Sequence, residues 1–288
     1  MPIALVTFRF DPSADLFGDL VLRWGTIGLV VAIVAALVLA GVLVRAAGLH
    51  AEDVPYVAIG IVPGAVVGGR LGYAIGHPAA FGSPAALFDP AVGGLELGLA
   101  VVGGFITGVY VASLLGSPVG RWLHVAMAPA LFVLGTGKLT MVLTGAGQGI
   151  RSDAIWSTRY LGPGPWGSLV PALPSMPSQA AEGIATLAIL AVLTVFLMVG
   201  MFRRRDGTVF FVGIGLWAVA RAAVSTTWRD SAVIGALPAG GVIALAIAIA
   251  CVAAVLLLLA RSRRVGLNDD QDVPVAVAWP DPEADRRV

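Results

Sequence analysis

This 288-residue sequence has few of the charged residues that cover the surface of a water-soluble domain. Only 12% of its residues are charged, 58% are hydrophobic, and the mean hydropathy is +0.92. These values predict an integral membrane protein. Lys138 is the single lysine, and the arginines are divided among separate loops without forming a basic patch. This distribution excludes nucleic acid as a partner, because no basic surface follows a phosphate backbone.

Cysteine is almost absent as well. The single Cys251 lies in an apolar run, which excludes an internal disulfide and a thiolate metal site. We expect Cys251 to pack as a small apolar core residue. The sequence predicts no metal and no cofactor.

Seven apolar runs are long enough to cross a hydrocarbon core about 30 Å thick, which requires roughly 20 helical residues. They cover residues 20–47, 54–76, 93–115, 123–144, 179–201, 208–228 and 237–260. The sequence therefore predicts an all-α, polytopic membrane domain over residues 1–264, with an external loop at residues 145–178. Residues 265–288 are polar and mixed in charge, which predicts a disordered cytoplasmic tail.

Arginine is distributed unequally between the two sides of these spans. One side carries Arg45, Arg121, Arg203, Arg204, Arg205, Arg261, Arg263 and Arg264, and the other carries Arg9, Arg151, Arg159 and Arg229. Because short cytoplasmic loops are enriched in basic residues, the first side is predicted to be cytoplasmic. The N-terminus is then outside and the C-terminus inside.

Ionisable residues within membrane spans are costly and usually face a bundle interior or a cavity. The spans contain five, namely Arg70, Glu96, Lys138, Glu182 and Arg221. All except Glu96 are predicted to lie at one depth near the outer ends of four helices. Three cations at that depth suit an anionic ligand such as a lipid phosphate. The alternative is a set of structural ion pairs, such as Glu182 with Arg70 or Arg221.

Glycines accompany these residues in "GAVVGGRLGY" at 64–73 and "VVGGFITG" at 101–108. Their small-xxx-small spacing predicts closely packed helices.

From about Asp11 to Arg264, the chain resembles the bacterial phosphatidylglycerol:prolipoprotein diacylglyceryl transferase family. "GGRLGY" at 68–73 matches the family's second-helix motif residue for residue. Four later segments are similar to the family's third-helix, signature, fifth-helix and sixth-helix patterns, in the same order. They are "GLAVVGGFITG", "MAPALFVLGTGKLTMVLTGAGQG", "MPSQAAEG" and "GLWAVARAAVSTTWRD".

The resemblance implies transfer of the diacylglyceryl group of phosphatidylglycerol to the lipobox cysteine thiol of a prolipoprotein, with release of glycerol phosphate. The partners would be phosphatidylglycerol, the prolipoprotein signal peptide and the lipid bilayer, in the bacterial cytoplasmic (inner) membrane. The catalytic candidates are Arg221, Glu182 and His77, and the candidates for phosphatidylglycerol binding are Lys138, Arg221, Arg70, Tyr73, Gln179 and Ser178. His77 is proposed as a base for the thiol proton, and the alternative is a helix-end residue at the membrane interface.

Several family positions carry other residues here. The family's histidine, tyrosine, asparagine and glutamate fall on Val102, Gly25, Met141 and Ala146. Glu96 and Gln148 are further candidates to replace lost groups. These departures leave open a catalytically impaired paralogue that binds anionic phospholipid or an exported polypeptide. The glycine-rich helices and the charges within the spans leave open a third alternative, a small membrane transporter.

Overall fold

The structure, a computed structural model, describes residues 6–17 and 20–265. Within these residues seven α-helices are long and apolar enough to cross a membrane. They are α1 Trp24–Ala46, α2 Val54–Gly76, α3 Leu97–Leu114, α4 Val119–Thr140, α5 Ser178–Met198, α6 Thr208–Ser225 and α7 Ala239–Val265. The predicted all-α membrane fold and its number of spans are thus confirmed. The predicted tail lies outside the described residues, apart from Val265 at the end of α7.

Six short strands accompany the helices. They are β1 Val6–Phe8, β2 Ser13–Phe17, β3 Leu20–Arg23, β4 Thr158–Tyr160, β5 Ala232–Ile234 and β6 Leu237–Pro238. β1 pairs with β4 in parallel, whereas β2 with β3 and β5 with β6 are antiparallel. The first span was predicted from residue 20, and this boundary was wrong because residues 20–23 belong to β3. Strands this short show no recognisable alternation in the sequence.

The helices alternate in direction, so the bundle has two ends. One end, here called the site end, holds the start of α1, α3, α5 and α7 and the end of α2, α4 and α6. All six strands adjoin these helix ends. The opposite end carries Arg45, Arg121, the run of residues 203–205 and Arg261.

Glycines bring α2 and α3 into backbone contact. A Cβ atom on Gly64 would lie 2.2 Å from the carbonyl oxygen of Gly103, and one on Gly103 would lie 2.0 Å from that of Gly64. At Gly68 the corresponding distance to the Leu99 oxygen is 2.1 Å. No larger residue fits at these positions without separating the helices, so the predicted close packing is confirmed.

The main apolar core lies between α4, α5, α6 and α7. Met127, Leu131, Leu193 and Trp217 are fully buried there, and Cys251 belongs to the same cluster. The prediction that Cys251 is a core residue is confirmed. Because α6 lies at the centre of this group, residues on it can be held away from lipid.

The connection from α4 to α5 begins with a short 3-10 helix, Met141–Thr144, and continues through residues 145–177, which fold over the site end. β4 in this connection pairs with β1, and the Tyr160 ring stacks on Phe8 with centroids 4.8 Å apart. Trp166 packs against Tyr160 at 4.7 Å and against Phe10 at 5.4 Å. Offset and edge contacts between aromatic rings stabilise such clusters beyond simple burial. The N-terminal strand therefore fixes this connection above the helices.

Candidate functional site

Four charged side chains from four helices meet at the site end and are here called the charged cluster. Lys138 lies in the last turn of α4, Glu182 near the start of α5, Arg221 near the end of α6, and Glu96 immediately before α3. Glycine-mediated packing and the α4–α7 core bring these helix ends together. The sequence analysis predicted three of these residues at one depth, and the structure adds Glu96.

Glu182 is the centre of the cluster and is 1% exposed. Its Oε1 accepts a hydrogen bond from Nη1 of Arg221 at 2.7 Å, and its Oε2 lies 3.0 Å from Nζ of Lys138. Nη2 of Arg221 donates to Oε1 of Glu96 at 2.9 Å. A buried charge is tolerated when it is paired and hydrogen-bonded, and this network meets that condition.

Glu96 has a second structural task. Its carboxylate accepts the backbone N–H groups of Gly98 at 2.8 Å and Leu99 at 2.7 Å, which caps α3. Its own N–H donates to the Gly69 carbonyl of α2 at 2.9 Å. A carboxylate at a helix N-terminus is favoured by the free N–H groups and the helix dipole. Glu96 therefore joins α2, α3 and α6.

Two tryptophans flank the cations of the cluster. The guanidinium carbon of Arg221 lies 4.6 Å from the Trp228 ring centroid and 5.8 Å from that of Trp217. Nζ of Lys138 lies 5.8 Å from the Trp228 centroid. Cation–π attraction is strengthened where water is excluded, so Trp228 helps to retain both charges at this depth.

The cluster opens onto a cavity of about 300 Å³, here called the polar cavity. Its lining includes three cations, Lys138, Arg221 and Arg229, and two carboxylates, Glu182 and Asp230. Uncharged lining residues are Gly147, Gln148, Gly167, Ser168, Leu169, Gln179 and Trp228. A concave site with a few converging polar groups is the usual form of a small-molecule or headgroup site.

Several polar atoms at this cavity have unused hydrogen-bonding capacity. Within the described residues, Nε of Arg221 and Oε1 of Gln179 are buried without a partner. An ammonium carries three donors, and in the same part of the chain Lys138 has one carboxylate partner. Unpartnered buried polar atoms are costly, so they mark a place where a polar ligand would be stabilised.

Hydrogen-bonded neutral groups form another part of the cavity wall and are here called the polar frame. Gln148 donates from Nε2 to the Thr158 carbonyl at 2.7 Å and accepts from Ser168 Oγ at 2.6 Å. Gln179 donates to the Tyr160 hydroxyl at 3.3 Å. Burial raises the pKa of Tyr160 to about 12, so its hydroxyl keeps its proton at physiological pH. The frame therefore presents neutral hydrogen-bonding groups to the cavity.

Two further contacts fix the base of this frame. Ser178 Oγ lies 2.6 Å from Thr227 Oγ1, which ties the start of α5 to the end of α6. Arg229 donates to the Gly149 carbonyl at 2.7 Å and to Ser175 Oγ at 3.0 Å. Ser178 was predicted to bind substrate, and it lies behind the cavity wall, where its hydroxyl holds the helices together.

Arg70 is separate from the charged cluster. Its guanidinium donates to five backbone carbonyls in the α2–α3 connection, those of Ala86, Leu87, Asp89, Val92 and Gly94. A guanidinium has five N–H donors, so this arrangement, here called the loop clamp, uses all of them. The predicted convergence of four charged residues therefore holds for Lys138, Glu182 and Arg221 and was wrong for Arg70.

Tyr73 and His77 lie beside the loop clamp, at the end of α2. Their rings stack with centroids 4.4 Å apart, and Tyr73 also packs edge-on against Phe81 at 6.1 Å. Nε2 of His77 lies 3.7 Å from Oδ1 of Asp230, a residue of the polar cavity. Tyr73 thus packs against the loop, whereas His77 reaches the edge of the cavity through Asp230.

The positions at which the chain departs from the family pattern are filled by packing contacts. A Cβ atom on Gly25 would lie 2.8 Å from the Thr144 side chain, so α1 lies directly against the end of α4. Val102 packs on the apolar core. Met141 approaches Gly147, and Ala146 approaches Gly167. No polar side chain is supplied to the cavity from any of these four positions.

A second cavity, of about 460 Å³, is apolar along its whole length and is here called the apolar cavity. It begins at Leu97, the residue after Glu96, and continues between α1, α2, α3 and α4 to Val44 and Trp122 near the opposite end. Its walls contain no charged residue. Such a cavity fits hydrocarbon rather than a polar ligand.

Sequence reasoning missed Trp228 and Asp230 as site residues. Trp228 is the last residue of the predicted sixth span and Asp230 follows it, where a tryptophan is typical of a membrane interface and a charged residue is unremarkable. The adjacent "WRD" at 228–230 was the available signal, because two opposite charges directly after a span that already contains Arg221 are uncommon. Their placement depends on the turn that leads from α6 into β5.

Comparison with known proteins gives one consistent result. The family model described as prolipoprotein diacylglyceryl transferase matches residues 13–258. A phosphatidylglycerol–prolipoprotein diacylglyceryl transferase of Geobacter sulfurreducens is 28% identical over 240 residues, which is 80% of this chain and 86% of that protein. A protein of the same name from Paraburkholderia xenovorans is 31% identical over 175 residues, which is 56% of each chain.

Proposed function

We propose, since the chain belongs to the prolipoprotein diacylglyceryl transferase family, that it transfers the diacylglyceryl group of phosphatidylglycerol to the lipobox cysteine of exported prolipoproteins. The chain is a multi-pass membrane protein of a transferase family of lipoprotein biosynthesis. The specific donor, the acceptor and the inner membrane as location are parts of the proposal.

One observation carries this proposal. Lys138 and Arg221 approach one small cavity from two helices, with Glu182 between them and with donors still available. A phosphodiester has one negative charge shared by two non-bridging oxygens that accept such hydrogen bonds, and arginine and lysine are the usual residues that bind them. The position of the cavity at the end of a membrane bundle favours a lipid phosphate over a soluble one.

The chemistry required of the protein is modest. The thiol sulfur forms a bond to the glyceryl carbon, the bond from that carbon to the phosphate oxygen breaks, and its electron pair stays on the departing glycerol phosphate. The thiol proton passes to a base. Lys138 and Arg221 would stabilise the additional negative charge on the phosphate, which is electrostatic catalysis. Glu182 would hold both cations in position before the lipid arrives.

The apolar cavity supports a lipid donor. It starts beside Glu96, so an acyl chain could enter it while the phosphate lies against Lys138 and Arg221. We also propose that the site end faces the outside of the cell, where exported precursors are found. The arginines at the opposite end support this orientation, because basic loops favour the cytoplasm.

A second candidate function is binding without transfer. Gly25, Val102, Met141 and Ala146 supply no polar group to the cavity, and their packing contacts leave little space for larger side chains. A paralogue that retains the lipid site and has lost the chemistry would have this composition. It would bind an anionic phospholipid or an exported polypeptide.

The two functions are separated by complementation of a bacterial strain depleted of its own diacylglyceryl transferase. Lipoproteins are then isolated, and their N-terminal peptides are analysed by mass spectrometry. Transfer predicts that the lipobox cysteine gains a diacylglyceryl group. If the protein is inserted in the membrane and no modified cysteine is found, the transfer proposal is wrong and the binding function is favoured.

A further inference from the structure

The proposed transfer needs a group that accepts the thiol proton, because a free thiol with a pKa of about 8.5 is mostly protonated at neutral pH. The carboxylates of the charged cluster are poorly suited to this task. Glu182 faces a cation with each oxygen, and Glu96 is bound to Arg221 and to two N–H groups of α3. Protonation of either carboxylate would break the contacts that hold the cluster together.

Asp230 is the remaining carboxylate of the polar cavity among the described residues. It follows directly after Arg229, whose guanidinium turns away to Gly149 and Ser175. The Asp230 side chain is 50% exposed, so a substrate can reach it. Its neighbour within ion-pair distance is His77, with 3.7 Å between Oδ1 and Nε2.

The His77 ring is held in place from the other side by Tyr73, one turn earlier in α2, at a centroid distance of 4.4 Å. The backbone N–H of His77 donates to the Tyr73 carbonyl at 2.8 Å, which closes the end of the helix. The polar cavity that Asp230 lines also contains the cations Lys138, Arg221 and Arg229 and the carboxylate Glu182. A carboxylate and an imidazole that close from 3.7 Å to hydrogen-bond distance can pass a proton between them.

We propose that Asp230 and His77 act as a pair that removes the thiol proton in the transfer reaction. Asp230 on the cavity wall accepts the hydrogen bond of the thiol, and His77 behind it receives the proton. The S–H bond breaks as an O–H bond forms on Asp230, which then passes this proton to His77, so that an N–H bond forms and Asp230 is a carboxylate again. The sulfur electron pair forms the C–S bond, and glycerol phosphate departs with the electron pair of the broken C–O bond. Asp230 would touch the substrate, and His77 would act through it. This inference rests on the proposed transferase function.

The test is the pH profile of kcat/KM, measured with the purified protein, phosphatidylglycerol in mixed micelles and a lipobox peptide. For the unmodified protein, we expect kcat/KM to rise with pH, because the base must be free of its proton to accept that of the thiol. His77→Gln removes this rise and lowers the rate about 100-fold, within the range of general-base effects. Asp230→Asn has the same effect, and Asp230→Glu restores part of the rise.

Two matched controls accompany these variants. His50→Gln and Asp153→Asn replace exposed residues of the same types away from the cavity and should leave the profile unchanged. Since His77 and Asp230 are both about half exposed, their substitution should preserve the fold, which size-exclusion chromatography and thermal unfolding check.

The outcomes are distinguishable. If the unmodified protein forms no product, the proposed function is overturned, and the pair with it. If the unmodified protein is active and both His77→Gln and Asp230→Asn keep its pH profile, the pair alone is overturned. Loss of rate without loss of the pH-dependent rise also contradicts the inference, because a structural role would reduce activity equally at every pH.

Discussion

Arg70 and Arg221 are the same residue type, each in the final turns of an apolar helix at the site end, and their surroundings differ completely. All five donors of Arg70 end on carbonyls of one connecting loop. Arg221 instead binds two carboxylates, Glu182, which also binds Lys138, and Glu96, which caps α3. It faces the polar cavity, and its buried Nε has no partner in the described chain. The comparison teaches that a guanidinium whose donors all end on backbone carbonyls has a structural role, whereas one that faces a cavity with an unpartnered donor is the better candidate for binding a ligand.

The largest effect is expected for Arg221→Met. The substitution leaves Glu182 with one cation and Glu96 with none, and loss of one partner from a buried ion pair typically costs about 3–5 kcal/mol. Thermal unfolding in detergent measures the change in stability. Arg221→Lys keeps the charge without the planar guanidinium, so its unfolding midpoint should lie between those of the unmodified protein and Arg221→Met. A midpoint equal to that of the unmodified protein would show that the charged cluster contributes nothing to stability.

Arg70→Met is expected to act locally. Without the donors of Arg70, residues 86–94 of the loop lose the contacts that hold them. Amide hydrogen exchange in these residues should accelerate about tenfold or more, which corresponds to about 1.4 kcal/mol in the free energy of local opening. Binding of phosphatidylglycerol should change by less than about twofold, because the loop clamp lies outside the polar cavity. A large loss of lipid binding with unchanged amide hydrogen exchange would show that Arg70 binds the lipid and does not anchor the loop.

Lys138→Met tests the cluster while the contacts of Arg221 remain, because Arg221 still donates to both Glu182 and Glu96. We expect the affinity for phosphatidylglycerol to fall about tenfold, or about 1.4 kcal/mol, through loss of one charged donor. Lys138→Arg serves as the control and should keep most of the affinity. Titration with lipid in mixed micelles is the measurement. Equal affinity of all three proteins would show that Lys138 does not contribute to lipid binding.

The smallest effect is expected for Gln179→Leu. Oε1 of Gln179 is buried at the cavity without a partner in the described residues, so a headgroup hydroxyl would be stabilised there. One neutral hydrogen bond contributes about 0.5–1.5 kcal/mol, which corresponds to a loss of about two- to tenfold in affinity for phosphatidylglycerol. Phosphatidic acid, which lacks that hydroxyl, should bind both proteins equally. An equal loss for both lipids would indicate general damage to the cavity.

The sequence was sufficient to predict the seven spans, both ends of α2, the α2–α3 glycine contact and the meeting of Lys138, Glu182 and Arg221. Apolar run length and the cost of charge in lipid determine these features locally.

The remaining features depend on contacts that no local pattern contains. Glu96 reaches Arg221 across 125 residues of sequence. Arg70 and Arg221 both lie in the final turns of apolar helices, yet Arg70 binds a loop and Arg221 faces a cavity. The conformation of the adjoining loop determines this difference. The position of Asp230 at the polar cavity depends on a single turn after α6. These features could not be predicted from the sequence, because loops of similar composition can fold in many ways.

The central claim is that lipid phosphate binds at the charged cluster and not at the loop clamp. Native mass spectrometry of protein released from phosphatidylglycerol-containing micelles tests it most directly, with the unmodified protein, Arg70→Met and Lys138→Met compared at equal lipid concentration. The account predicts that the unmodified protein and Arg70→Met retain phosphatidylglycerol equally and that Lys138→Met retains much less. Full retention by Lys138→Met together with loss from Arg70→Met would contradict it.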